Sequence, residues 1–497
     1  MITRRSAGFL LQLAGVFLLA GSIQVGTTVY AKKIPPGDPP PIRGEAVWQE
    51  TLEPDTTDTL QFAPGFPDKD WWLQFGDRYL TGYINQALKA NPDIETASLR
   101  VAEAQTLVRQ SLAREFPQIT LGPNYTRQHN SENMVNFDTS RSGNSFMSPT
   151  IIEPGSAFNL FTVPLQANYE LDLWGKKRSQ TKANRKQHEA ITQQQRAVLL
   201  SVVSEVASAY LNLLRTDELI HLTRQLIDKH EDLVEIRESQ WKNGLIAKDV
   251  LLATQQDLEE NKALLSDLLK QQALFIHQLC VLTGRPPQTE SHLERGTLAE
   301  LKLPPEIPAG EPAQLVQRRP DVLAQEAELE RARIEVSLAR KAYLPDIRLT
   351  GQFGFGSLKL SNLMNWDSML ASVGGGLAQI IFDAGEQKAR YKMMRSRHQQ
   401  QLQQYRKVIL NSFLEVENSL ASLKRDHQAL SHAEKLACLN EEAVELVHNK
   451  GNAGLVPQLD VIQAQAEALT IQQQVTQKKT DTLIDLVSLY KALGGGF

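Results

Sequence analysis

The sequence predicts a mainly α-helical protomer with a membrane β part, built from one unit repeated twice. Three observations lead there: an internal duplication that can be checked by subtraction, four segments alternating apolar and polar residues, and two helical stretches too long for a globular domain.

In chain order, Met1 to Arg5 is basic, Gly8 to Ala20 is an apolar run too short to span a bilayer, and Val29-Tyr30-Ala31 fits the small-x-small rule of signal peptidase sites. Residues 1–31 are the expected export signal and Lys32 the expected mature N-terminus. Arg4-Arg5 sits in surroundings that fit a twin-arginine signal poorly. Leu19-Ala20-Gly21 resembles a lipobox, but Ser22 follows where lipidation needs a thiol. Residues 32–70 are rich in Pro between 34 and 66, lack helical periodicity, and are expected to form an extended surface tail.

The remainder divides into a first repeat, 71–300, and a second, 301–497. Asn91-Pro92-Asp93-Ile94 recurs as Arg319-Pro320-Asp321-Val322, and Phe116-Pro117-Gln118-Ile119 as Leu344-Pro345-Asp346-Ile347, both offset by 228. Trp174-Gly175 matches Ala384-Gly385, Ser204-Glu205-Val206 matches Leu414-Glu415-Val416, and Gly244-Leu245 matches Gly454-Leu455, all offset by 210. The second copy is therefore shorter by about 18 residues in the interval holding the polar stretch Asn130 to Gly155. The difference is one loop.

Each copy reads helix, strand, loop, strand, long helix, helix. The first helix is expected over about 78–115. Strands are expected near 118–128 and 161–173, and again near 346–356 and 369–381. In the second of them Phe161, Val163, Leu165, Ala167, Tyr169 and Leu171 alternate with Thr162, Gln166, Asn168, Glu170 and Asp172. Gly374-Gly375-Gly376 lets the fourth strand bend or its neighbours approach. Long helices are expected over about 176–242 and 386–450, each roughly 100 Å at ~1.5 Å per residue. Their seam steps by seven: Leu199, Val206, Leu213, Ile220, Ile227, Val234 and Trp241, then Ile409, Val416, Leu423, Leu430, Ala437, Val444 and Gly451. Glycines at 244 and 454 supply the helix C-caps, and return helices follow over 248–283 and 458–493.

Bulk properties exclude more than they assign. Lys plus Arg total 53 against 57 for Asp plus Glu, a formal charge of -4 with no nucleic-acid footprint. No uninterrupted apolar run reaches about 18 residues, so any membrane span must be a barrel. Cys280 and Cys438 lack metal-site spacing and are expected as buried thiols. No nucleophile elbow, Walker A loop or zincin motif occurs, and histidines such as His221 and His230 lack ligand spacing, so no catalytic, cofactor or metal residue is named.

Four amphipathic strands cannot close a barrel, because open edges in lipid leave backbone groups unsatisfied at several kcal/mol each. Several chains must share the closure. Two would give eight strands, whose interior is filled by side chains, and three would give twelve, which begins to leave a passage.

Trp71-Trp72-Leu73-Gln74-Phe75-Gly76-Asp77, Tyr169-Glu170-Leu171-Asp172-Leu173-Trp174-Gly175-Lys176, Arg318-Arg319-Pro320-Asp321-Val322, Ala342-Tyr343-Leu344-Pro345 and Ile381-Phe382-Asp383-Ala384-Gly385, in this order on a duplicated scaffold, resemble the TolC-like outer-membrane efflux family. The likeness covers about 70–497 and is to the branch paired with resistance-nodulation-division pumps. It implies a homotrimer in outer-membrane lipid of a Gram-negative cell, a twelve-stranded barrel continuing into a long periplasmic coiled-coil barrel. It further implies a tripartite efflux system with a periplasmic adaptor (membrane fusion) protein and an inner-membrane pump. Many members of the branch are lipoproteins, from which Ser22 departs. The same duct could serve type I protein secretion, and a non-conducting periplasmic scaffold is the remaining alternative, one that would not need the alternating strands.

By the same resemblance, Gly454 to Gln463 forms the hairpin tip where family channels narrow. Leu459 would supply an apolar ring of the periplasmic gate and Asp460 an acidic one, while Gln463 stands where a second acid can occur. Taken as residues alone, Leu459 also fits a coiled-coil core position, and Asp460 a solvated acid at a helix N-terminus. Arg318-Arg319-Pro320-Asp321 reads as a structural helix start, and Trp174 as an interface or helix-packing residue rather than a stacking platform.

Overall fold

The computed structural model describes residues 48, 61–63, 65–129, 131, 157–287, 293–301, 303–304 and 306–496. The expected export signal at 1–31 and most of the tail at 32–70 lie outside them.

Ahead of the first copy, in the tail, stands β1 (Gln61–Ala63); the first copy comprises a 3-10 turn (Trp71–Phe75), α1 (Arg78–Ala90), α2 (Pro92–Ala113), β2 (Gln118–Leu121), β3 (Asn124–His129), β4 (Ala157–Leu171), α3 (Lys176–Lys242) and α4 (Lys248–Leu282). The second comprises β5 (Glu306–Pro308), α5 (Pro312–Arg318), α6 (Pro320–Lys341), β6 (Asp346–Ser357), β7 (Met369–Ala378), α7 (Glu386–Asn452) and α8 (Gln458–Ala492). The duplication is visible in the lengths: α2 and α6 have 22 residues each, α3 and α7 have 67, and α4 and α8 have 35.

The helix expected over 78–115 is two helices. Pro92 cannot donate to the preceding turn, and the Asn91 side chain accepts from the Asp93 and Ile94 amides, which starts α2 afresh. Arg319-Pro320 opens α6 at the matching place. Both long helices end as the glycines require: Gly244 and Gly454 lie at φ +72° and +71°, and the next amides reach back to Gln240 and Lys450 at 2.9 and 2.8 Å.

The main core lies where α1, α3, α4 and α8 meet. Trp71, Tyr210 and Tyr490 are fully buried there, and Trp72 and Phe75 nearly so. The tryptophans at 71 and 72 are thus packing residues. Asp77 stitches this core: one carboxylate oxygen caps α1 by accepting from Tyr79 and Leu80, and the other accepts from the Tyr210 hydroxyl at 2.6 Å. The Tyr210 oxygen accepts in turn from Gly296 N–H at 3.0 Å. Burial, then the Asp77 contact, pushes the phenol well above its ordinary range, so it stays a donor. β1 pairs in parallel with β5, and Trp48 donates to Ala309 O, so this part of the tail is tied to the core rather than lying on a surface.

Arg319 is buried behind that core and donates to Ala492 O, Asp321 and Glu415. Burial works against its charge, but the two carboxylates hold the guanidinium above its usual range. It acts as a structural clamp on the end of α8. Of the two cysteines, Cys280 is buried as expected and Cys438 is exposed. That correction has a simple cause: the α7 face carrying Cys438 has no partner within one chain. Part of α3 is long and apolar enough to cross a membrane by composition, yet most of it is buried in this core.

Candidate functional site

The strands form one antiparallel sheet in the order β2–β4–β6–β7, with β3 continuing β2 along β4. Pairing of β2 and β3 with β4 keeps one register across Gly122-Pro123, where Gly122 and Pro123 face Pro164 and Val163. Gly122 N–H still donates to Pro164 O at 3.1 Å, but Pro164 has no amide hydrogen to return the bond, so the ladder is interrupted there without a shift.

This register puts most of each strand's apolar residues on the same face, with Leu160 and Leu370 among the exceptions on the other. Leu171–Ile347–Leu377, Tyr169–Leu349–Gly375, Ala167–Gly351–Val373, Leu165–Phe353–Ala371 and Val163–Phe355–Met369 stand in rows, with Ile119 and Leu121 extending two of them. The opposite face carries Gln118, Thr120, Gln166, Asn168, Thr350, Gln352 and Ser372, with one charged pair, Glu170 across from Arg348. From Phe161 to Leu171 the apolar band runs roughly 33 Å along the strand, or roughly 25 Å at the tilt usual in membrane barrels. Aromatic rings border it at the far end, where Tyr125 stacks on Phe161 at 4.8 Å and Trp366 meets Phe355 at 6.3 Å. At the near end stand Tyr169 and Trp174, the latter donating to Pro345 O at 2.9 Å. A sheet that is apolar outward and polar inward, with aromatic borders, suits a lipid-facing wall around an aqueous passage.

The helices show a matching asymmetry. Next to the sheet, α2 packs on α3, α3 on α6 and α6 on α7, while farther along α4 packs on α3, α3 on α8 and α8 on α7. α3 and α8, which have partners on both sides, leave only Trp241 among their large apolar residues exposed. α4 and α7, each at an outer edge, expose Val250, Leu252, Leu264, Leu269, Leu274 and Val281, and Met393, Leu410, Leu414, Leu436, Leu439 and Leu446. The heptad seam follows the same logic. Val206, Leu213, Ile220 and Ile227, with Ile409, Val416, Leu423 and Leu430, are buried, whereas Val234, Ala437 and Val444 are half-buried and Trp241 is exposed toward the tips.

At the tips, Leu245 and Leu455 stand 73% and 74% exposed at matching positions. The two residues expected at a gate part company. Leu459 is buried with Ile462 against Leu233 and Ile236 of α3, the coiled-coil arrangement. Asp460 is exposed in the first turn of α8. Gly451 lies against α8 so closely that a Cβ there would meet Val461 Cγ2 at 2.7 Å. Sequence reasoning missed that Leu459 binds the other hairpin, because nothing in a heptad states which neighbour fills it.

Comparison with known proteins adds to this geometry. The family model for outer membrane efflux proteins matches residues 83–285 and 312–495. Among curated relatives, the pyoverdine export outer membrane protein OpmQ of Pseudomonas putida is 27% identical over 448 residues, covering 88% of this chain and 90% of that protein. The cation efflux system protein CusC of Escherichia coli K12 is 25% identical, covering 87% and 90%. Among solved structures, the CmeC outer membrane channel of Campylobacter jejuni matches with a TM-score of 0.78 at 22% identity, covering 88% of this chain and 89% of that one.

Proposed function

Because the chain belongs to the outer membrane efflux protein family, we propose that three copies close head to tail into a twelve-stranded barrel continuing into a periplasmic helical barrel. The chain is an efflux channel of the outer membrane, and its fold is that of the TolC-like channels. The carrying observation is the sheet: one apolar face, one polar face, and two free edges at β2/β3 and β7.

The duplication supports the closure. Contacts of α3 with α8, of α3 with α6, and of β4 with β6 join the first copy to the second. Their counterparts would join α7 to α4, α7 to α2, and β7 to β2/β3, and these need a second chain. The residues concerned are the exposed ones: Ile236 and Ile462 meet near Leu459, and their counterparts Leu446 and Leu252 have no cover. Two chains would leave an eight-stranded barrel filled by side chains, so three suit conduction.

On this reading the repeats divide at about residue 300, the duct performs no chemistry, and energy comes from an inner-membrane pump through a periplasmic adaptor that meets the hairpin tips. The periplasmic gate is assigned to Asp460, with Leu459 fixing the angle of the α8 tip against α3. A ring of carboxylates at a constriction draws cations and opposes anions.

The test is planar-bilayer conductance of the detergent-extracted oligomer with its mass measured in parallel. Stable pores from a three-chain particle are expected, and a non-conducting monomer would overturn the barrel. Asp460→Ala is expected to raise single-channel conductance, and an unchanged value would remove the gate assignment.

A further inference from the structure

Where the sheet meets the helices, a cavity of about 470 Å³ is lined by α2, the end of β4, α3, α6 and α7. In the layer next to the sheet these helices are neighbours in the order α2, α3, α6, α7, so α2 and α7 are not adjacent within a chain. Both reach the cavity, which therefore lies on the concave side of the layer. Glu170, on the polar face of the sheet, lines it too.

The charges around this cavity do not balance. Its two carboxylates are engaged: Glu170 with Lys177 at 3.7 Å and Glu335 with Arg331 at 3.2 Å. Arg114 from the end of α2 and Arg390 and Arg397 from one face of α7 also line it. None of these three guanidinium groups makes a hydrogen bond or ion pair among the described residues.

We propose that Arg114, Arg390 and Arg397 form a collar that captures anionic solutes carrying carboxylate, phosphate or sulfonate groups as they leave the helical barrel for the β-barrel. This rests on the duct reading above, which makes the concave face the lumen. Planar guanidinium groups bind such oxyanions through paired N–H bonds. Three chains would bring nine of them around the lumen, spread over ~10 Å of its length because Arg390 and Arg397 stand two turns apart on α7, and rings of arginines favour anions. Their exposure to water keeps each contact weak, which suits a solute that must also leave. Above the collar, beyond the Glu170–Arg348 pair, the described part of the sheet's polar face offers mainly amides and hydroxyls.

The test compares the purified oligomer in planar bilayers, under a KCl gradient, as wild type, as the triple variant R114Q/R390Q/R397Q, and as the triple Arg→Lys variant. Pyrenetetrasulfonate is the blocking anion. The Gln variant is expected to lower the chloride-to-potassium permeability ratio about threefold and to raise the half-blocking concentration about tenfold, with the Lys variant keeping the ratio and losing part of the block. Pores of ordinary conductance whose ratio and block are the same in wild type and Gln variant would overturn the collar alone. Failure of the wild type to form any pore would overturn the duct reading and the collar with it.

Discussion

The two helical hairpins, α3–α4 and α7–α8, descend from one design and are held together differently. At five matching positions the first hairpin carries Leu214, Thr216, Leu268, Gln271 and Phe275, and the second carries Lys424, Asp426, Lys478, Asp481 and Asp485. Leu214, Thr216 and Leu268 are buried apolar or small groups. In the second hairpin Lys478 pairs with Asp426 at 3.2 Å and Asp481 at 3.9 Å, and Arg215 reaches over from α3 to Asp481 at 3.5 Å. Asp485 lies among these acids with Oδ2 buried and unpartnered. Packing by apolar groups does not respond to pH or salt, whereas a seam of charges does. At these five positions the first hairpin is thus mainly uncharged and the second charged, although both share one helix length and both also bury apolar residues.

Three changes would break or sharpen this contrast. The largest effect is expected where the first hairpin must meet the second hairpin of a neighbour. Leu252→Asp puts a charge on the uncovered face of α4 and is expected to convert trimers to monomers, read by mass in detergent. A Leu252→Cys/Leu446→Cys pair is expected to cross-link chains, and a cross-linked species absent under oxidation would refute the α4–α7 contact. Next, Leu268→Lys places the residue of the second hairpin into the first without its acidic partners. An unpaired buried charge is expected to cost about 3 kcal/mol, seen as a lower thermal midpoint, and a loss below about 1 kcal/mol would mean the first seam tolerates charge as the second does.

The smallest effect is expected from pH. Burial and then the neighbouring Asp426 raise the Asp485 carboxyl to about 7, against a weaker opposing pull from Lys478. A carboxyl raised on folding favours the protonated form, so its contribution to stability is present at low pH and is lost as pH rises through about 7. The wild-type melting temperature is expected to fall by roughly 2 °C from pH 5 to pH 8, and Asp485→Asn is expected to abolish that part of the fall. An equal slope in both proteins would show that this acid does not sense pH.

Much of this was legible in the chain itself. Constant offsets exposed the duplication, and period-2 alternation put Phe161 through Leu171 on one wall, because side-chain direction in a strand follows sequence parity alone. The break at Asn91-Pro92 was missed although an Asn cap followed by Pro is a helix start, since apolar spacing runs on through it. Exposure of Cys438 and the identity of the helix that covers Leu459, whose core position was legible, share one reason for being missed. A heptad says that a face is covered, not by which helix or by which chain. The collar left no motif, for Arg114 and Arg397 are 283 positions apart and meet only through the layer order of four helices.

In the proposed three-chain ring, the free edges at β2/β3 and β7 also govern how the ring lives and dies. Two joined chains expose as much open edge as one chain does, so partial assemblies gain contacts without hiding what is sticky about them. Only the third arrival removes both ends, and it seals two seams in a single event. Afterwards, a seam that opens leaves its two chains tethered through the third, at high effective concentration for rejoining. Loss of a subunit therefore needs two simultaneous ruptures, so the closed ring outlasts any one of its seams.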